Sequence, residues 1–463
     1  MEENLITRKR LNYDNKLILA PMVRIGTLPM RLLALDYGAD IVYTEELIDR
    51  KLLRSIRREN DVLGTIDYID KTDGTVVFRT CPRERDNVVL QIGTSDPIRA
   101  AQVALMVEND VAGIDVNMGC PKKFSMLGGM GASLLREPQK ATEILQNLIK
   151  TVAIPVTCKI RILPNQEETL QLCETLASTG IAAIAIHGRT IEERPQHSNH
   201  NNVLKHISAK LLIPVIANGG SKDIQKYSDI SRFKEETGCS SVMLARAAEW
   251  NCSIFRKEGL LPMEDVIKSY LKHAIDCDNS PSNTKYCVQN ILRELQESPL
   301  GRKFLDAQTL EQICEVWGLG DYCRSKRKEF RDKGLLGRFQ VTPTIFDKEL
   351  SNGISHKRKA QENEDVSLMR CAFLRNNYIT DSELPKTRLL KWTKEYHKKM
   401  PVYDTRQENK LFCSVVTVDG RKYGSSFWEK NKKWAEQGAA LVCLYFLGII
   451  DEESLTAGGN ILT

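Results

Sequence analysis

The sequence predicts an α/β chain whose larger part is a (β/α)8 TIM barrel, and three observations carry that expectation. Eight short apolar runs recur between residues 17 and 244, at 17–22, 41–44, 88–92, 113–118, 155–160, 182–186, 214–217 and 240–244. Each is nearly continuous in apolar residues, the pattern of parallel strands buried on both faces. Helical periodicity fills most of the intervals, for example 97–108 and 169–179. Eight strand-plus-crossover units are the count of such a barrel. A doubly wound open sheet is the alternative. It usually carries a glycine-rich fingerprint after its first strand, where this chain has Ala20-Pro21-Met22-Val23-Arg24.

The remaining elements follow in order. At 463 residues the chain exceeds one ordinary core and calls for two or three domains. Residues 1–258 are assigned to the barrel. Strand runs disappear beyond it, and 263–274 and 283–297 have helical periodicity, so 259–334 reads as a small helical domain. Residues 335–369, poor in large apolar side chains and rich in Ser, Asn, Lys and Glu, read as a flexible linker. Within it His356-Lys357-Arg358-Lys359 is either a nuclear signal or a solvated charge run. Residues 370–450 form a third unit with the pattern helix 385–399, strands 402–405, 411–418 and 422–428, and helix 432–447, and 451–463 are a tail. Pro385 suits a first helical position, and Asp419-Gly420 between two strand runs is a hairpin turn signal.

Composition narrows the function. Hydrophobic content of 42% and charged content of 27% are those of a soluble globular protein. No apolar run is long enough to span a membrane, and residues 1–16 lack the apolar core of a secretory signal. Thirteen cysteines without CxxC pairs argue for free thiols in a reducing, cytoplasmic setting and against a structural metal. A monomer is expected. Net charge is +6 overall, yet residues 385–435 alone hold thirteen Lys or Arg against five Asp or Glu. That concentration suits a polyanion partner for the third unit, or else a solvated basic face.

In a parallel barrel the ligand meets the C-terminal ends of the strands. The polar residues there form a consistent set: Pro21, Met22 and Val23 after strand one, Gln91 on strand three, and Asn117 and Cys120 after strand four. Lys159 and Arg161 lie on strand five, His187 and Arg189 after strand six, Asn218, Gly219 and Gly220 after strand seven, and Ala245 and Arg246 after strand eight. Gly219 and Gly220 let the backbone approach a ligand closely, and Arg246 adds a charged donor, a pairing that suits phosphate. Gln91 offers a donor and an acceptor to the edge of a heterocycle. Lys159 puts positive charge beside a ring that becomes anionic on reduction, and His187 can fix the same ring. Cys120, between Gly119 and Pro121, can deliver a proton to carbon as a general acid or attack as a nucleophile. No His–Asn pair arranged for a protease accompanies it.

On these residues the chain resembles the tRNA-dihydrouridine synthases. Asp115-Val116-Asn117-Met118-Gly119-Cys120-Pro121 looks like the family signature, and Ala20-Pro21-Met22, Cys158-Lys159-Ile160-Arg161, His187-Gly188-Arg189, Asn218-Gly219-Gly220 and Ala245-Arg246 fit the same family. The resemblance implies FMN-dependent reduction of the uridine C5–C6 double bond in tRNA, with NADPH as reductant. It implies hydride transfer to C6 and protonation of C5 by Cys120. It places Pro21, Met22, Val23, Gln91, Lys159, His187, Asn218, Gly219, Gly220, Ala245 and Arg246 on FMN, and Asn117, Lys122, Arg161 and Arg189 on the substrate.

Residues 432–440, Lys432-Lys433-Trp434-Ala435-Glu436-Gln437-Gly438-Ala439-Ala440, look like the last helix of a double-stranded-RNA-binding domain, whose opening lysines meet phosphates. Lys386 and Arg375 are expected to add contacts. The chain departs from that pattern at Lys391, where the first helix usually has an acid, and near 407–410, which lacks the usual Gly-Pro-x-His. A barrel joined to such a domain resembles the eukaryotic branch assigned to D-loop uridine 20 of cytoplasmic tRNA. Two other readings remain open here: an RNA-binding protein with an inactive barrel, and an FMN barrel reducing a free pyrimidine.

Overall fold

The computed structural model describes residues 11–71, 74–335, 366–378, 380–408, 411–458 and 460. Two compact units divide the chain between Leu305 and Asp306, the second also drawing on residues 54–56 and 69–76.

The first unit is a closed parallel barrel. Its strands are β1 (Leu17–Leu19), β2 (Ile41–Tyr43), β3 (Val88–Gly93), β4 (Gly113–Met118), β5 (Val156–Arg161), β6 (Ala183–His187), β7 (Val215–Asn218) and β8 (Ser241–Leu244). Neighbours pair in sequence order around the ring; β8 returns to β1, and β2 pairs with β3 to close it. Ile18, Ala20, Ile41, Tyr43, Val89, Ala183, Ala185, Ile216 and Met243 pack with Tyr13 as one apolar cluster. All eight apolar runs of the sequence are strands, because burial on both faces left them no polar alternation.

Caps sharpen the crossovers. Asp96 accepts from Ile98 N and Arg99 N at the start of helix Pro97–Val107, and Asn165 does the same for Gln166–Ala177. Each such cap contributes about 1 kcal/mol. A buried Arg31 donates to both oxygens of Glu84 at 2.6 and 2.8 Å and to Gly26 O at 2.6 Å, which ties down the loop after β1.

The excursion between β2 and β3 has no counterpart among the expected elements. A short strand, Leu47–Ile48, pairs with the end of β3, and Ser55–Asn60, Thr65–Asp70 and Val76–Thr80 form a separate three-stranded sheet. Ser55–Asn60 reads Ser-Ile-Arg-Arg-Glu-Asn and is mostly exposed, so no apolar periodicity marks it. Beyond the barrel, helices Met263–Asp276 and Pro281–Leu292 match the helical periodicity there. The second of these ends at Arg293, whose φ of 50° breaks the helix that was expected to run on to 297.

The second unit contains helices Leu310–Val316 and Gly320–Asp332 and the C-terminal fold. Strands β9 (Val366–Met369), β10 (Val402–Glu408), β11 (Leu411–Val418) and β12 (Arg421–Ser425) form a sheet ordered β9-β12-β11-β10. Helices α1 (Pro385–Glu395) and α2 (Lys432–Phe446) complete the α-β-β-β-α order. β9 corrects the linker assignment: residues 366–369 pair in parallel with β12 instead of lying in coil. The run 356–359 and residues 336–365 of that linker lie outside the described residues, as do residues 409–410 of the β10–β11 turn and 461–463 of the tail.

Candidate active site

The parallel register brings polar side chains together inside the barrel. Gln91 lies beside Asp115, Asp115 beside Thr157, and Asn117 beside Lys159. Gln91 Nε2 donates to Asp115 Oδ2 at 2.7 Å, and Thr157 Oγ1 donates to Asp115 Oδ1 at 2.7 Å. Asn117 Nδ2 donates to Gln91 Oε1 at 3.1 Å. Asn117 Oδ1 in turn accepts from Gly119 N and Cys120 N, both at 3.0 Å. One chain of bonds therefore runs from the barrel interior to the backbone that presents Cys120. Burial pushes the Asp115 carboxyl up to about 6, against the pull of Gln91, Thr157 and Lys159. Sequence reasoning put both ends of Gln91 on a ligand; the structure engages one donor and one acceptor internally and leaves the amide locked in one orientation.

Cys120 is half-buried. Ser125 Oγ donates to its Sγ at 3.3 Å. Arg161 Nε donates to Gly119 O and Arg161 Nη1 to Thr190 O, both at 2.9 Å, so Arg161 braces the turn that carries the thiol. Glu46, a residue the sequence reading left unassigned, has its carboxyl pushed up by burial, an effect that Cys120 opposes. Lys122 opens the exposed helix Lys123–Leu127.

Around the other half of the mouth the structure gathers positive charge. Burial draws the Lys159 ammonium down to about 8, with the charge of Arg161 adding to the effect. Burial also pulls His187 well below its ordinary value, helped by Lys159, Arg161, Arg189 and Arg246. Arg189 Nη1 lies 3.1 Å from His187 Nε2 and donates to Gly219 O at 2.9 Å. A guanidinium can only donate, so Nε2 carries the lone pair and the imidazole proton sits on Nδ1. Arg189 was read as a substrate contact; here it clamps His187 and the β7 turn. Asn218 is likewise used internally, donating to Met243 O at 2.9 Å.

Gly219 has φ +118°, and a Cβ there would collide with the Asn199 amide. Among the described residues Asn199 Oδ1 finds no hydrogen-bond partner. A polar pocket of about 860 Å³ opens beside this turn, lined among others by Arg189, Asn199, Lys222, Lys226 and Arg232. Pro21 and Met22 are half-buried and Val23 is exposed after β1. Ala245 precedes the short helix Arg246–Trp250, whose first residue is exposed.

The candidate RNA-binding side chains fall into two groups. Lys432 and Lys433 are exposed at the first turn of α2, whose start is capped by Asn431 Oδ1 accepting from Trp434 N at 2.8 Å. Lys386 instead pairs with Glu436 of α2 and lies 4.4 Å from the centroid of the Tyr403 ring. Arg375 donates to Tyr378 O and, at 2.9 Å, to Asp381 Oδ1. These two were expected to reach RNA; Glu436, fifty residues away, draws Lys386 into the fold, while Arg375 is engaged by its near neighbours Tyr378 and Asp381.

The profile of the dihydrouridine synthase (Dus) family matches residues 18–277. The chain belongs to the dihydrouridine synthase family. A double-stranded RNA binding motif matches residues 385–447. The chain is similar to a tRNA-dihydrouridine(20) synthase [NAD(P)+] of Schizosaccharomyces pombe, 37% identical over 361 residues, 74% of each chain. It is also similar to a tRNA-dihydrouridine(20) synthase [NAD(P)+] of Saccharomyces cerevisiae, 37% identical over 301 residues, 61% of this chain and 78% of that one. A solved structure of a tRNA-dihydrouridine(20) synthase dsRBD is 44% identical and covers 18% of this chain and 89% of that chain, with a TM-score of 0.17. Among the described residues no helix is long and apolar enough to cross a membrane, and no group of three or more His, Cys, Asp or Glu is placed to hold a metal ion.

Proposed function

We propose that this chain reduces the C5–C6 double bond of uridine 20 in the D-loop of cytoplasmic tRNA, with FMN as bound cofactor and NADPH as reductant. The observation that carries the reading is the convergence, at one barrel mouth, of a presented thiol with Lys159, Arg161, His187, Arg189 and Arg246. Several cationic groups gathered at one strand-end mouth call for an anionic ligand. The left-handed turn at Gly219, beside Arg246, suits its phosphate.

FMN fits that donor set. The turns at Gly219–Gly220 and Ala245–Arg246 would hold its phosphate, with Pro21, Met22, Val23 and Asn218 beside the rest of the cofactor. Gln91, Lys159 and His187 would meet the ring. When bound, the flavin supplies the hydride for uracil C6. The chain does the rest. Asn117 presents Cys120 and holds the uracil, and Cys120 gives its proton to C5. Arg161 keeps the thiol-bearing turn in place, and Lys122 lies exposed on the substrate side. The target base must leave its stack to enter such a mouth. Lys432 and Lys433 would capture the tRNA backbone.

We take residues 1–258 as the catalytic barrel, 259–334 as the helical domain and 370–450 as the RNA-binding domain of a monomer. The relatives named for uridine 20 support the position assigned. The test is an absorption spectrum of the purified protein, followed by anaerobic addition of unmodified tRNA to the NADPH-reduced sample. Flavin bands that bleach with NADPH and return with tRNA support both half-reactions. A colourless protein that binds tRNA and takes up no FMN overturns the reading in favour of an inactive platform.

A further inference from the structure

The turn that leaves β1 carries Pro21, Met22 and Val23, and the residue after them is held in an unusual shape. Arg24 has φ +67°, a left-handed conformation that a residue with a side chain enters only at a steric cost. Its backbone is gripped on both sides. Arg24 N donates to Glu45 Oε2 at 2.8 Å, just past β2. Arg24 O accepts from Asn283 Nδ2 at 2.6 Å, 259 residues further on in helix Pro281–Leu292. The same helix meets the rest of Arg24. Cys287 Sγ donates weakly to the same carbonyl at 3.5 Å, and the guanidinium lies 4.0 Å from the centroid of the Tyr286 ring, within cation–π reach.

Asn283 has no spare capacity to turn elsewhere. Its Oδ1 accepts from Thr27 Oγ1 at 3.1 Å and from Asn279 Nδ2 at 3.0 Å. With Nδ2 on Arg24 O, the amide is fixed in one orientation and bridges residues 24 and 27 of the turn. Between them Gly26 is buried against the backbone that follows β2, where a Cβ would lie 2.7 Å from Glu45 N. The turn is thus pinned on one side by the end of β2 and on the other by the helical domain.

We infer that Asn283 is a positioning residue of the cofactor site: from the helical domain it latches Arg24 in its left-handed conformation and so holds Met22 and Val23 in place at the barrel mouth. The inference rests on the reading of Met22 and Val23 as FMN contacts. Strain supplies the physical reason. A change of φ at 24 turns the chain before it, Met22 and Val23 included, relative to the chain after it. An arginine released from its partners favours negative φ, and the Asn283 hydrogen bond opposes that change. Glycine populates positive φ about as readily as negative, so a glycine at 24 would have little need of the latch.

The test uses the cofactor-free full chain and FMN affinity read by quenching of flavin fluorescence. Asn283→Ala is expected to weaken FMN about fivefold, the order that one lost hydrogen bond represents. The same change made in an Arg24→Gly background is expected to weaken it less than about twofold, because two residues that act on one another are not additive. An Asn283 that only stabilises the fold lowers the thermal midpoint in both backgrounds and leaves FMN affinity where it was. If Asn283→Ala folds poorly, Asn283→Asp serves: it keeps the acceptor for Thr27 and Asn279, loses the donor to Arg24 O, and is expected to show the same dependence on residue 24. Unchanged FMN affinity, or equal losses with Arg and with Gly at 24, overturn the proposal. A wild-type chain that takes up no FMN overturns instead the reading on which it rests, and does so without reference to Asn283.

Discussion

The barrel mouth and the start of α2 both collect positive charge, and they do so in opposite ways. At the mouth, Lys159, Arg161 and Arg189 are desolvated and shifted down from their ordinary titration, and the two arginines are bonded to backbone carbonyls. At α2, Lys432 is 67% exposed and lies 3.9 Å from Glu436, and Lys433 is exposed. Buried charge is worth more per group because the surroundings screen it poorly, and it stays fixed during reaction. Exposed charge is screened by salt and geometrically tolerant, which suits a phosphate backbone read for its shape. The same residue types therefore make a preorganised site in one unit and a salt-sensitive docking face in the other.

The largest effect expected lies at the mouth. Cys120→Ala removes the proposed proton donor while leaving the cationic side intact, so FMN is expected to stay bound. Dihydrouridine formation is expected to fall about 10²–10⁴-fold, the usual worth of a positioned general acid. Retained flavin absorbance and quantified dihydrouridine check both halves. Unchanged product yield would break the division of labour between thiol and cationic cradle.

Next comes titration of the cradle itself. Lys159 is drawn down to about 8 in the fold, from an ordinary 10.5. Between those values the unfolded chain holds a proton that the folded chain has released, so this group adds stability to the cofactor-free protein as pH rises through that window. Affinity for an anion moves the other way, because deprotonation removes positive charge. FMN affinity of the apoprotein, read by flavin fluorescence quenching, is expected to fall by up to about tenfold per pH unit above 8, the limit for one linked proton. Lys159→Met removes that slope. Loss of affinity confined to pH below 7 would assign the cradle to another group.

How much of this was legible beforehand follows from the range of each interaction. The eight barrel strands were readable because burial on both faces writes itself into consecutive apolar residues. Cys120, Asn117 and Lys159 were readable because strand-end position is a local property. Glu46 was not: it lies past the end of β2, in an excursion whose strands carry little apolar signal, and its carboxylate fills the space beside Gly93, far away in sequence. Asp115 was read as part of a motif, while its role in orienting Gln91 appears only from the β3–β4 register. Arg189 and Lys386 each hold a partner, Gly219 O and the Glu436 carboxylate, thirty and fifty residues away, and local sequence cannot separate such a cation from a free one.

At the RNA-binding face the expected changes are smaller and depend on salt. Lys432→Ala with Lys433→Ala should weaken tRNA binding about tenfold at moderate salt and lower the log–log salt slope by roughly 2, about one for each phosphate left without its lysine. Filter-binding titrations at several salt concentrations measure both. A slope that does not change places the phosphate-binding side chains elsewhere on the unit.

The smallest effect, and the sharpest use of the comparison, belongs to Lys386. It lies in the same basic stretch as Lys432 and has the same side chain, yet it is 34% exposed against 67% and pairs with a Glu436 that is only 11% exposed. Its backbone N–H also donates to Gln437 Oε1 at 2.9 Å, which seats the start of α1 on α2. Its charge is thus engaged inside the fold. Lys386→Ala should cost about 1 kcal/mol of stability, the order of a partly exposed pair, seen as a lower thermal midpoint. The salt slope of tRNA binding should stay at the wild-type value, because every phosphate keeps its partner. The outcome separates the two kinds of lysine cleanly: a slope reduced by about 1 with an unchanged midpoint would mean that Lys386 leaves Glu436 when RNA arrives and belongs with Lys432.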